Sequence, residues 1–126
     1  MRIAGLVIVA LIALLHFYIA WFEIFAWTTR GPEIFTSISA DLFEPTKVLA
    51  ANQGIYNAFL AAGLTWSLLI KDAKWKINIA VCFLLFVATA GVFGAATADF
   101  KIFYVQTVPA AAALILLLLS RRSAKS

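Results

Sequence analysis

The chain opens on an almost unbroken apolar run from Leu6 to Trp27, in which the only ionisable interruptions at this depth are His16 and Glu23. Three further apolar stretches follow. Each of the four is long enough to cross a ~30 Å hydrocarbon core, which needs about 20 helical residues. The expected spans are residues 3–27, 48–70, 77–98 and 103–119. The first is not read as a signal peptide. An h-region covers only about 7–15 residues and ends at small residues, whereas this run is longer and ends in Phe25, Ala26 and Trp27. Its fourteen Leu, Ile, Val and Phe residues favour insertion by on the order of 4 to 8 kcal/mol, against about 2.5–3.5 kcal/mol for one acidic residue at the centre. The segment inserts in spite of Glu23.

The connections carry turn signals. Gly31-Pro32 predicts a turn, and Pro can open a helix at its first position. Ile34, Phe35, Ile38, Leu42 and Phe43 then recur near helical spacing, which predicts a short helix in the interface plane. Pro45 is expected to set the start of the second span. Lys71–Lys76 reads as a tight turn with Trp75 at headgroup depth, and Ala98–Lys101 as a tighter one. Pro109 lies early enough in the fourth span to kink it without ending it. No linker divides the chain. The expected fold is all-α: a single domain, 1–126, forming a four-transmembrane-helix bundle with a short interfacial helix in the first loop.

Composition agrees. The chain is 64% hydrophobic and 13% charged, where a soluble domain carries about 25% charge. The net charge of +4 is too modest for a nucleic-acid footprint, and no basic face is interleaved with aromatics. The expected partner is the lipid bilayer, not nucleic acid. With both termini on one side, that side holds Arg2, Lys71, Lys74, Lys76, Arg121, Arg122 and Lys125, against Arg30, Lys47 and Lys101 on the other. The positive-inside rule then places both ends in the cytoplasm. The single cysteine, Cys82, has no disulfide or metal partner and reads as a small hydrophobe.

Candidate chemistry concentrates at one depth. His16 and Glu23 are seven residues apart, hence within ~20° on one helix face and about 10.5 Å apart along the axis. Ala20 leaves room between them. The second span contributes Asn52, Gln53, Tyr56 and Asn57, and the fourth contributes Gln106. With the first helix running outward and the second inward, these residues share the outer half of the bundle. A stripe of Ala50, Gly54, Ala58 and Ala62 runs beside the amides, and Gly91 with Ala95 and Gly94 with Ala98 repeat the spacing. Small residues at that interval let helices approach closely. Polar groups inside a membrane can be structural links worth roughly 0.6 kcal/mol each. Ionisable ones are costly and mark sites by default.

The stretch "TKVLAANQGIYNAFLAAGL" (residues 46–64), with "LLHFYIAWFEIFAW" before it and "YVQTVPA" after it, resembles the small bacterial membrane-protein family catalogued as domain of unknown function 1304. The "NQGxYN" core is its most specific part, and His16, Glu23 and Gln106 match its pattern. Many members carry glycine where this chain has Ala58. The resemblance implies a four-helix integral membrane protein and implies no activity; the expected location is the bacterial inner (cytoplasmic) membrane.

Three functions compete. The first is a binding or transport module for a small polar or amphipathic ligand, contacted by His16, Glu23, Asn52, Gln53, Tyr56, Asn57 and Gln106, with a homodimer through the Ala/Gly faces. The second is an isomerase-like membrane enzyme with Glu23 and His16 as acid and base. The third is an accessory subunit in which the polar cluster only holds helices together. One histidine with no neighbouring cysteine makes a weak metal or haem site, so no metal or cofactor is assigned. There is no P-loop, GxGxxG or HExxH pattern.

Overall fold

A computed structural model describes residues 1–123; the end of the basic tail, including Lys125, lies outside them. The described residues form helices joined by short connections, with no strand. Helix α1 (Arg2–Trp21) passes through a π turn (Phe22–Ala26) into α2 (Trp27–Ile34), making one continuous rod. A 3-10 turn (Ala40–Leu42) leads into α3 (Phe43–Leu69). Helix α4 (Ala73–Thr97) follows. A second π turn (Phe103–Thr107) runs directly into α5 (Val108–Ser123). The rods alternate in direction: Gly5 packs against Leu117, Gly63 against Phe83, and Gly91 against Gln106 and Thr107.

All four rods feed one core at the end where Gly5 of α1 meets Leu117 of α5. Val9, Ile12 and Ala13 of α1 meet Leu64 of α3, Ile77, Ala80, Leu84 and Val87 of α4, and Ala110, Ala113 and Leu117 of α5. The outside is as apolar as the inside. Ile3 is 79% exposed and Phe93 70%, and a helix that is hydrophobic all round is suited to a core or to lipid. Among the described residues three helices are long and apolar enough to cross a membrane: Arg2–Ile34, Ala73–Thr97 and Phe103–Arg121. Helix α3 is long enough at 27 residues, but Asn52, Gln53 and Asn57 dilute its hydropathy.

The first connection differs from the sequence expectation. No turn forms at Gly31-Pro32, and between the end of α2 and α3 the helical content is the three-residue 3-10 turn Ala40–Leu42 rather than an interfacial α-helix. The first rod instead runs on through α2, with Pro32 inside it and its end two residues later at Ile34. The reason is aromatic packing. Phe43, 1% exposed, lies 5.1 Å from the Trp27 ring. Gly31 makes room for it: a Cβ there would stand 2.4 Å from the Phe43 ring. Of the apolar residues whose spacing suggested an interfacial helix, Phe35 and Phe43 join this cluster together with Phe22, whereas Ile34 and Leu42 are exposed. The Trp27 Nε1–H donates to Thr46 Oγ1 at 3.0 Å and ties the rod to α3.

Helix α3 starts at Phe43, two residues before Pro45 rather than after it. Pro45 is tolerated because a first-turn N–H has no helical partner to lose. Helix α4 also starts earlier than the predicted turn over Lys71–Lys76 allows. Asp72 caps it, its Oδ1 accepting from the Lys74 and Trp75 amides at 2.9 and 2.8 Å. Lys76 then reaches back to donate to the Leu68 carbonyl at 2.6 Å, closing the end of α3. At the same end Arg121 of α5 bonds Asn78 of α4. Pro109 is the second residue of α5. Its missing N–H falls where the π turn has already broken the α-type ladder, so the rod passes it without ending.

Candidate functional site

The two π turns carry two of the polar residues singled out from sequence: Glu23 in the first and Gln106 in the second. A π turn closes i→i+5 bonds and is rare, occurring mostly as a bulge at functional positions. Its wider winding also means that the 100°-per-residue projection linking His16 to Glu23 does not hold through the bulge.

Glu23 is half-buried against α3. Its Oε2 accepts from Asn57 Nδ2 at 2.7 Å, an amide only 8% exposed. Gly54 makes the approach possible. A Cβ at that position would stand 2.7 Å from Ile24 Cγ1, 3.0 Å from the Ala20 carbonyl oxygen and 3.2 Å from Glu23 Cβ. One turn further on, Asn57 projects from the same face to meet the carboxylate. Among the described residues, Glu23 Oε1 has no hydrogen-bond partner. Glu23 borders a groove of about 250 Å³ that is also lined by Trp27 and Thr28 of the first rod and by Lys47, Val48 and Ala51 of α3. Lys47 pairs with Glu44 at the rim.

His16 is fully enclosed. Its Nδ1–H donates to the Ile12 carbonyl at 2.8 Å. Since a carbonyl only accepts, this bond leaves the lone pair on Nε2. That atom is buried without a hydrogen-bond partner among the described residues. The register of α1 on α5, with Gly5 beside Leu117, brings His16 level with Gln106, eleven residues along each helix. Gln106 is half-buried beside Gly91, and its neighbour Thr107 donates to the Ala88 carbonyl at 3.1 Å.

The sequence-derived set therefore divides. Glu23 and Asn57 are in contact. His16 and Gln106 lie deeper at a common level, and His16 does not line the groove. Asn52, Gln53 and Tyr56 lie on an exposed face of α3, away from the Glu23 contact. The small-residue stripe divides too: Ala50 and Gly54 are buried, Ala62 is exposed. Gly54, Gly91 and Gly94 all pack against this chain's own helices. The π turns were not foreseen, since no residue pattern signals the extra residue; Pro109, just after the second, is the nearest hint. No group of three or more metal-binding side chains occurs among the described residues.

Long apolar helices and large apolar side chains turned outward are compatible with a helical membrane protein. Within that class, the chain belongs to the family described as "Protein of unknown function (DUF1304)", whose family model matches residues 10–118. That range contains every candidate site residue named above. The chain is 29% identical over 117 residues to the "Uncharacterized protein YpaA" of Lactococcus lactis subsp. lactis (strain IL1403), a match covering 91% of this chain and 97% of that relative. No solved structure matches it.

Proposed function

We propose that this protein is a four-span binding or transport module of a bacterial inner membrane. Its site for a small polar or amphipathic molecule is centred on the Glu23 carboxylate in the outer half of the bundle. The observation that carries the reading is that one carboxylate oxygen is held by Asn57 while the group borders the groove between the first rod and α3. A carboxylate is expensive at membrane depth and is retained where it has work to do. Asn57 orients it, and the free oxygen is the acceptor offered to a ligand. His16 and Gln106 form a second polar level beneath it. Binding is preferred to acid–base chemistry because enclosed His16 and groove-lining Glu23 do not open on one space. No metal or cofactor enters this reading.

In the same reading α3 is the fourth span. Its 27 residues reach about 40 Å, enough to cross the hydrocarbon core, and Asn57 is satisfied by Glu23. The chain then forms one domain with both ends in the cytoplasm. A fluorescent reporter fused after Ser126 should fold and fluoresce, and an alkaline phosphatase fused there should be inactive. The reverse pattern overturns the orientation.

Native mass spectrometry of gently extracted protein tests the site. Wild type should retain a small-molecule adduct that Glu23→Gln loses. Glutamine still offers an oxygen to Asn57, so the fold is expected to survive. Wild type free of any adduct in several lipid backgrounds, or an adduct equally held by Glu23→Gln, overturns the reading.

A further inference from the structure

The exposed polar face of α3 is distinct from the Glu23 groove. Leu49, Asn52, Tyr56 and Phe59 all point outward, Leu49 71% exposed and Phe59 59%. Their spacing of three, four and three residues is that of a coiled-coil seam. Gln53 flanks it and is also exposed. Thr46 is tied to Trp27 at the end of the bundle. Counting from Thr46 at 1.5 Å per residue, Asn52 lies about 9 Å deeper and Tyr56 about 15 Å deeper. With α3 as the fourth span, the reading proposed above on which this inference rests, these amides face outward within the membrane, where acyl chains offer no hydrogen bond and an unmatched amide is costly.

We infer that this face of α3 is the contact for a second copy of the same chain. Two features select that occupant. A carboxamide carries both donors and acceptors, so Asn52 and Gln53 complement their own images. A twofold axis along the membrane normal brings two α3 helices together in parallel, because both copies insert in the same direction. Asn52 then meets Asn52 of the other copy at a seam position, where a lone asparagine fixes register and pairing. Leu49 and Phe59 pack above and below it. The dimer uses the polar face of α3. Of the small residues, Gly54 is occupied within the protomer by the first rod, and Gly91 and Gly94 by the segment 102–107.

Cysteine cross-linking in native membranes tests this. Cys82, the single native thiol, is first replaced by serine. Oxidation of Asn52→Cys and of Phe59→Cys should give a disulfide-linked dimer, and Phe93→Cys, exposed on α4, should not. Phe59→Cys keeps both amides, so it reports the contact even where loss of Asn52 weakens pairing. In lipid nanodiscs Asn52→Leu should lower the dimer association constant roughly three- to twentyfold, the range that interhelical polar contacts contribute. The proposal is overturned if Asn52→Cys and Phe59→Cys both remain monomeric, as for a face covered by lipid. It is equally overturned if Phe93→Cys cross-links as well as they do, or if Asn52→Leu leaves the equilibrium unchanged.

Discussion

Replacing Gly54 with leucine is expected to push the first rod away from α3 and to lower the thermal midpoint in detergent well below that of wild type. A Cβ at Gly54 meets the Ala20 carbonyl oxygen at 3.0 Å and Ile24 Cγ1 at 2.7 Å. The first of these is backbone and cannot swing aside. Overpacking of this kind costs about 1–3 kcal/mol, occasionally more. The displacement also separates Glu23 from Asn57, so the groove and its proposed ligand should be lost together. Ala62→Leu is the matched control. Ala62 belongs to the same four-residue stripe but is exposed, and its substitution should leave the midpoint near wild type. Equal losses in the two variants would mean that α3 tolerates no bulk anywhere, and the close approach at Gly54 would have no special role.

The second large effect concerns the carboxylate–amide bond. Asn57→Leu removes the donor to Glu23 Oε2 and leaves a half-buried carboxylate without it. An unmatched buried group costs about 1–3 kcal/mol. Asn57→Leu combined with Glu23→Leu should recover most of that loss, because replacing both partners by apolar groups is close to neutral. The coupling between the two positions should then be on the order of 1–2 kcal/mol, the upper end of what interhelical polar contacts contribute. Unfolding in mixed micelles followed by tryptophan fluorescence measures it. A double variant as unstable as the sum of the singles would show that the two side chains do not act as a pair.

Both experiments depend on which face of α3 meets the first rod, and this was only partly legible in the sequence. The amides Asn52, Gln53 and Asn57 crowd into one stretch, and sequence treats them as one cluster. In the fold they separate. Asn57 turns inward beside Gly54 and Ala50, and Asn52 and Gln53 turn outward. At 100° per residue, positions 53 and 57 are only ~40° apart. The difference in their surroundings comes from where the neighbouring helix stands, not from their own identity. The stripe from Ala50 to Ala62 shows the same thing. The inward face of α3 passes from Ala50 and Gly54 to Asn57, Ala61 and Leu64, all buried. A single four-residue repeat cannot follow that path, because every fourth residue drifts by ~40° around the helix.

The connections show the opposite balance. Gly31, Pro32, Pro45 and the spaced apolar residues around them are genuine signals, yet they do not make the turn and interfacial helix they suggest. The Phe43 ring packs against Gly31 and beside the Trp27 ring, and its burial outweighs the local preference for a break. Asp72 was equally visible, but its role as cap of α4 emerges only once the Lys74 and Trp75 amides are seen to point at it.

The sequence by itself determined the helical, apolar character of the chain and its family. Those properties are sums over side chains: transfer free energy accumulates residue by residue, and no neighbour is needed to read it. Only the tertiary structure decided that Glu23 and Gln106 sit in π turns, that Asn57 alone among the amides meets the carboxylate, and that His16 keeps a buried, unmatched nitrogen. Those outcomes depend on the crossing of separate helices. A hydrogen bond between Glu23 and Asn57, thirty-four residues apart, exists only because Gly54 lets two backbones come within contact, and no local pattern in either helix encodes that distance.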